Sequence, residues 1–252
     1  MKLSSPSAVL ALGGLDPTGR AGLLVDASAI EHHGGRALAV ATALTAQGET
    51  RFSVHPVPSS TIRVQLRALS EVFKVRAIKL GMIPNLEVLR AIRAELSGTR
   101  TPWVVDPVVR TSRGQPLSSL RPRDYLSLAS SDVVLTPNAV EAGWLLGEKA
   151  PARRLEQALE FGSRLIRHGF RAVIVKGGHL SPGATDILCL RDAALVLPGE
   201  RLPRSAPRHR GTGCRFASTL AAELARGAGV AEAAEVAKRS VERFLRDGTA
   251  ES

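Results

Sequence analysis

Polar residues capable of phosphate chemistry stand where short apolar runs end. Gln47 follows Ala43-Leu44-Thr45-Ala46, and Asp106 follows Trp103-Val104-Val105. Asn138, with Glu141 three residues on, follows Val133-Val134-Leu135-Thr136-Pro137, and Lys176 follows Ala172-Val173-Ile174-Val175. In an open parallel sheet, ligands collect at the carboxyl ends of the strands. An amide, two acids and a lysine on one rim suit a magnesium–phosphate site, where carboxylates hold the cation or its waters and lysine meets phosphate oxygens. Taken singly, each residue reads more readily as a helix cap or a solvated turn. Taken together, they read as a rim.

A second constellation is Gly211-Thr212-Gly213-Cys214, which opens the apolar run Phe216–Leu224. Two glycines let backbone approach a ligand closely, and a helix start presents free N–H groups and partial positive charge. That makes an anion hole for a phosphoryl group in transit. The same position would lower the pKa of Cys214 and make its thiol an acid/base group. A tight turn that merely needs small residues remains the alternative. Two other patterns lead nowhere. Gly14–Arg20 has P-loop glycine spacing without the lysine and hydroxyl residue that reach phosphate and magnesium. His32 and His33 are adjacent, point apart on a helix, and read as surface histidines.

The elements that must carry these residues alternate. Strands are expected at Ser7–Leu12, Ala37–Leu44, Ala77–Leu80, Trp103–Val105, Asp132–Leu135 and Ala172–Val175, with a hairpin from Thr185–Leu190 to Ala193–Leu197. Helices are expected at Ala21–His33, Thr61–Phe73, Leu86–Leu96, Leu155–Ile166, Thr212–Arg226 and Val230–Leu245, the second, third, fourth and last with an apolar stripe of helical period. Gly13–Arg20 reads as a loop, and Pro198–Arg210 as the most mobile one. This alternation predicts an α/β fold of three layers with a mostly parallel central sheet. At 252 residues, the chain suits one domain spanning 1–252.

Composition narrows the function classes. The net charge is +11, with arginines scattered rather than clustered, and aromatics make up 4% of residues. That argues against a nucleic-acid footprint, which concentrates cations and stacking aromatics. No apolar run is long enough to span a membrane. Two cysteines, of which Cys189 reads as core, build no disulfide framework and point to a reducing, cytoplasmic setting.

The motifs in their order resemble those of the hydroxymethylpyrimidine/phosphomethylpyrimidine kinases of thiamine biosynthesis, in the ribokinase-like superfamily. The resemblance runs from about Val9 to Leu245. It is carried by Gly13–Gly22 with Asp26, Thr42–Gln47, Lys79-Leu80-Gly81-Met82, Val105–Val108, Thr136-Pro137-Asn138 with Glu141, Val175–His179, and Gly211–Cys214. It implies ATP-dependent phosphorylation of 4-amino-5-hydroxymethyl-2-methylpyrimidine and its monophosphate, with ATP and Mg2+, in a dimer. It implies that Asp26 and Gln47 hydrogen-bond the aminopyrimidine, while Gly13, Met82 and Val108 line its pocket. Asp106 and Glu141 would organise magnesium, with Lys176, Asn138 and Asp186 on the nucleotide side. Gly211, Thr212 and Gly213 would form the anion hole, with Cys214 as the acid/base group.

The chain departs from that family's usual pattern at Leu15, Arg20, Arg210 and Arg215. Extra arginines there would favour a phosphorylated substrate. Vitamin B6 is also a hydroxymethyl ring, so a pyridoxal kinase is a sister reading. A ligand-binding paralogue of weakened activity, or a basic protein associated with nucleic acid, is the reading from another class.

Overall fold

The computed structural model describes residues 6–178, 180, 183–199 and 210–247. His179, and residues 200–209 of the loop expected to be mobile, lie outside the described residues. In chain order the elements are β1 (Ala8–Leu15), α1 (Leu23–His32), β2 (Arg36–Gln47), β3 (Phe52–Pro56), α2 (Ser59–Val72), β4 (Val75–Leu80), α3 (Leu86–Leu96) and β5 (Trp103–Val105). There follow α4 (Pro122–Leu126), β6 (Val133–Leu135), α5 (Ala139–Leu145), α6 (Leu155–Ile166), β7 (Ala172–Val175), β8 (Asp186–Cys189), β9 (Ala194–Leu197), α7 (Thr212–Ala225) and α8 (Val230–Asp247).

Among the described residues nine strands form one sheet, in the order β3-β2-β1-β4-β5-β6-β7-β8-β9. The run from β2 to β7 is parallel throughout. The edges β3, β8 and β9 pair antiparallel to their neighbours. Alternate residues of β1 divide the core between two faces. Leu10 and Leu12 pack with α2, α3, α5 and α6, through residues such as Ile62, Leu89, Ala142 and Phe161. Val9 and Ala11 pack with α1, α7 and α8, through Ile30, Leu220 and Ala234. Side chains alternate across a strand, so a buried strand feeds both layers. The expected α/β sandwich is the observed one. Cys189 is buried in the first of these clusters, as expected.

Several boundaries moved. β1 continues through Gly13-Gly14-Leu15, because β2 runs on beside it and pairs Gly13 with Ala41 and Gly14 with Ala43 across a register shift. The expected loop therefore begins only at Asp16. β3 was not anticipated: at the edge of the sheet it keeps little of the burial that writes a strand into sequence. The short helices α4 and α5 were also missed. Helix α5 carries its own signature, a capping box in which Asn138 accepts from the Val140 and Glu141 N–H groups and Glu141 accepts from the Asn138 N–H.

The chain leaves β1 for β2 on one side and returns to β4 on the other, so the sheet reverses its winding between β1 and β4. A crevice opens at the carboxyl ends beside such a reversal.

Candidate active site

The carboxyl ends of β1, β4, β5, β6 and β7 bring most of the expected residues to one rim. Asp106, just beyond β5, is 1% exposed. It accepts at 2.7 Å from the Nζ of Lys176, just beyond β7. Burial pulls the Lys176 pKa down, but Asp106 and Glu141 outweigh it, so the ammonium stays charged. Helix α7 starts over this pair. Gly211 caps it with φ +86°, in the left-handed region that glycine occupies without strain. A Cβ there would sit 2.5 Å from the Arg20 carbonyl oxygen, so the turn presses against the β1–α1 loop. A Cβ on Gly213 would sit 3.3 Å from Lys176 Nζ and 3.4 Å from Asp106 Oδ2. The bare backbone of the turn, a cation and an acid therefore meet within a few ångströms. Thr212 is the first residue of the helix, half-buried beside them.

Cys214 lies in the first turn of α7, and its thiol contradicts the expected lowered pKa. Its pKa is pushed up to about 11. Loss of water is the main cause, reinforced by the negative charges of Asp26 and Asp106, while Lys79 and the Gly22 N–H pull the other way without prevailing. The helix start favours a thiolate only where the thiol is wet enough to ionise. In the free protein Cys214 is a neutral thiol at neutral pH.

Glu141 is half-buried, and its pKa is pushed up to about 7. Desolvation leads, Asp106 adds to it, and Lys176 and the Asn138 cap oppose it. Asn138 spends its side-chain oxygen on the cap of α5. Its backbone bridges to Lys176, which fixes the two strand tips side by side. Asp186 is 6% exposed and fully engaged. It accepts from the Gly177 N–H at 2.6 Å and pairs with Lys238 at 3.0 Å, holding the turn after Lys176 against α8.

On the other side of the rim, Met82 and Val108 pack with Ala43 and Leu117 in a small apolar cluster. Thr42 donates to the Met82 carbonyl at 2.7 Å. Gly13 lies against Asp26, whose Oδ2 would be 3.5 Å from a Cβ there. Asp26 is completely buried and takes both its oxygens to Lys79 Nζ, at 2.8 and 2.7 Å, with Ser218 donating at 2.9 Å. Burial opposes the charge on Lys79, and Asp26 more than restores it, raising the lysine pKa. The rim thus rests on a buried ion pair that sequence reasoning missed. Its only signal was a lysine inside an apolar strand, Ala77-Ile78-Lys79-Leu80, where a charge is out of place.

Two further residues gained partners. Arg210 reaches Asp16 and Gln47. Arg215 is 3% exposed and its guanidinium stacks 4.5 Å from the Phe244 ring centroid, so it belongs to the α7–α8 packing. His32 is exposed as expected. His33 is not a free surface residue, because it bonds Glu223 at 3.1 Å and Ser240 at 3.3 Å between α7 and α8.

The two carboxylates at the rim suit magnesium, a hard cation that takes oxygen ligands and needs only one or two protein acids. Among the described residues, no group of three or more His, Cys, Asp or Glu side chains forms a metal cage. No helix among them is long and apolar enough to cross a membrane.

Comparison with known proteins points the same way. The model of the family described as phosphomethylpyrimidine kinase matches residues 16–251. The hydroxymethylpyrimidine/phosphomethylpyrimidine kinase of Aquifex aeolicus is 30% identical, over 94% of each chain. The phosphomethylpyrimidine kinase of Clostridium difficile superposes with a TM-score of 0.77 at 26% identity, covering 96% of this chain and 99% of that one. The pyridoxal kinase of Bacillus subtilis, solved as an ADP complex, superposes with a TM-score of 0.82 at 27% identity, covering 93% and 90%.

Proposed function

The chain belongs to the phosphomethylpyrimidine kinase family, and from that premise we propose that it phosphorylates 4-amino-5-hydroxymethyl-2-methylpyrimidine with ATP and then phosphorylates the resulting monophosphate. The observation that carries this reading is the convergence of Gly213, Lys176 and Asp106. An anion-binding helix start, a phosphate cation and a buried acid, the last two within 3.4 Å of where a Cβ on Gly213 would stand, are what phosphoryl transfer requires.

Each residue has a part in that reading. The N–H groups of the Gly211–Cys214 turn face charge that builds on the transferring phosphoryl group. Lys176 neutralises the nucleotide's terminal oxygens, for which it exchanges its present partner, Asp106. Asp106 and Glu141 would hold magnesium, which would supply positive charge to offset that of the phosphates. Met82 and Val108 wall the ring pocket, and Gln47 offers it an amide. Cys214 holds its proton in the free protein. Its part as a base therefore depends on a change in its surroundings when phosphate and cation arrive. A homodimer and a cytoplasmic location go with this reading.

Pyridoxal phosphorylation is the second reading, favoured by the likeness to the Bacillus subtilis pyridoxal kinase. One screen separates them: the purified protein with Mg-ATP and each ring alcohol in turn, reading ADP release. Turnover of the pyrimidine alcohol and its monophosphate above that of pyridoxal is the expected result. Turnover of pyridoxal alone, or of neither ring, overturns the proposal.

A further inference from the structure

Arg210, just before the glycine turn of α7, has definite partners. Its Nη2 donates to Asp16 Oδ2 at 3.0 Å and to Gln47 Oε1 at 2.7 Å. Asp16 is a fixed anchor. It is 1% exposed, and its other oxygen accepts from the backbone N–H and the hydroxyl of Thr18, at 3.0 and 2.8 Å. A guanidinium has only donors, so the amide atom facing it must be oxygen. The nitrogen end of Gln47 then falls 3.3 Å from Thr45 Oγ1, whose own proton goes to the Leu15 carbonyl at 3.2 Å. The bonds form a one-way chain: Arg210 is anchored by Asp16, donates to Gln47, which donates to Thr45, which donates to Leu15. Reversing the amide would leave two nitrogens face to face at 2.7 Å and would turn the Thr45 proton away from the Leu15 carbonyl. Gln47 and Arg210 also line one pocket with Thr111, Arg113 and Gln115, at the end of β2.

We infer that Arg210 is a positioning residue for substrate recognition: it locks the orientation of the Gln47 amide, and so decides which of its ends is donor and which is acceptor toward the ring. This rests on the proposed reading of the site as a ring-alcohol pocket. The ligand class it selects is a heteroaromatic ring with an acceptor nitrogen matched to the remaining N–H of Gln47. Without Arg210 the amide keeps only Thr45, whose hydroxyl can donate or accept, so nothing fixes which end faces a ring acceptor.

A double-mutant cycle tests this, with KM and kcat measured on the pyrimidine alcohol for wild type, R210A, Q47A and the pair. R210A is expected to raise KM by between about twofold, where both amide orientations become equally populated, and about tenfold, where the full charge-assisted bond is lost to the competent one. It should leave kcat within about threefold, because the interaction serves binding and not the chemical step. In the Q47A background it should change nothing further. R210K should recover part of the loss, since an ammonium also donates to the amide oxygen. Additive effects of R210A and Q47A, a fall in kcat at constant KM, or no change in R210A each overturn the inference while leaving the kinase reading intact. A wild type that ignores every ring alcohol overturns the underlying reading instead. Thermal unfolding of each variant is followed alongside, and R210M, which keeps the apolar stem without donors, replaces R210A in the cycle if the alanine variant does not fold.

Discussion

Replacing Glu141 with glutamine isolates the cost of keeping a carboxyl at the rim. Glutamine can still accept from the Asn138 N–H, so the capping box that starts α5 survives the change. What is lost is ionisation. In the wild type the Glu141 pKa is raised from the ordinary 4.5 to about 7, first by desolvation and then by Asp106. A carboxyl whose pKa is raised on folding binds its proton more tightly in the native state. Below about pH 4.5 both states are protonated, and the group contributes no pH dependence. As the pH climbs, the unfolded chain releases the proton while the folded one retains it, and the fold loses stability until about pH 7, beyond which the loss is complete. At roughly 1.4 kcal/mol per pH unit, the gap between the two values amounts to no more than on the order of 3 kcal/mol. Glu141→Gln removes that slope. Urea unfolding of the ligand-free protein at steps between about pH 5 and about pH 8 should therefore show the variant gaining on the wild type, by up to on the order of 3 kcal/mol at the alkaline end. The pH profile of the difference matters more than its size at any one pH. Parallel profiles for the two proteins, or a wild type that gains on the variant as pH rises, would refute the reasoning. The same carboxyl is proposed to meet magnesium, so stability given up in the free protein is set against a charge that the site needs once a cation arrives.

Lys79→Met leaves the Asp26 carboxylate in the core without its partner, a loss of about 3–5 kcal/mol of the kind seen when one half of a buried pair is removed. Denaturant unfolding at neutral pH checks it, and a loss below about 1 kcal/mol would mean that the pair is not what holds the acid there. Alkylation of Cys214 by iodoacetamide should be slow at neutral pH and keep accelerating toward about pH 11, because only the thiolate reacts. A plateau in the ordinary range near pH 8.5 would show an unperturbed thiol. Gly211→Ala forces a side chain into a left-handed position against the Arg20 carbonyl and should cost about 1–3 kcal/mol of stability. Thermal unfolding at unchanged midpoint would show that the turn tolerates a Cβ.

Much of the site was legible because strand ends punctuate the sequence. Asp106, Asn138 and Lys176 each follow an apolar run, and a run buried on both faces can only stop where the chain leaves the core. The parallel α/β sandwich followed from the alternation of such runs with helical stripes. The glycine turn before α7 was equally plain, since few other residues fit a bare helix start pressed against a neighbouring loop.

What the sequence could not carry was the environment of each group. Cys214 sits at a helix start, which argues for a thiolate, but the water withdrawn from it and the two carboxylates nearby decide the sign the other way. Lys79 and Asp26 are 53 positions apart, and nothing local says that they share a bond. Arg210 and Asp16 are 194 apart. Edge strand β3 and the short helices α4 and α5 escaped for a related reason: their burial comes from neighbours and not from any period of their own. Sequence by itself determined which residues reach the rim, since order along the chain and strand-end position are local properties. Only the tertiary structure decided which of them are charged, paired or already engaged, because desolvation and Coulomb energy depend on distances that folding alone creates.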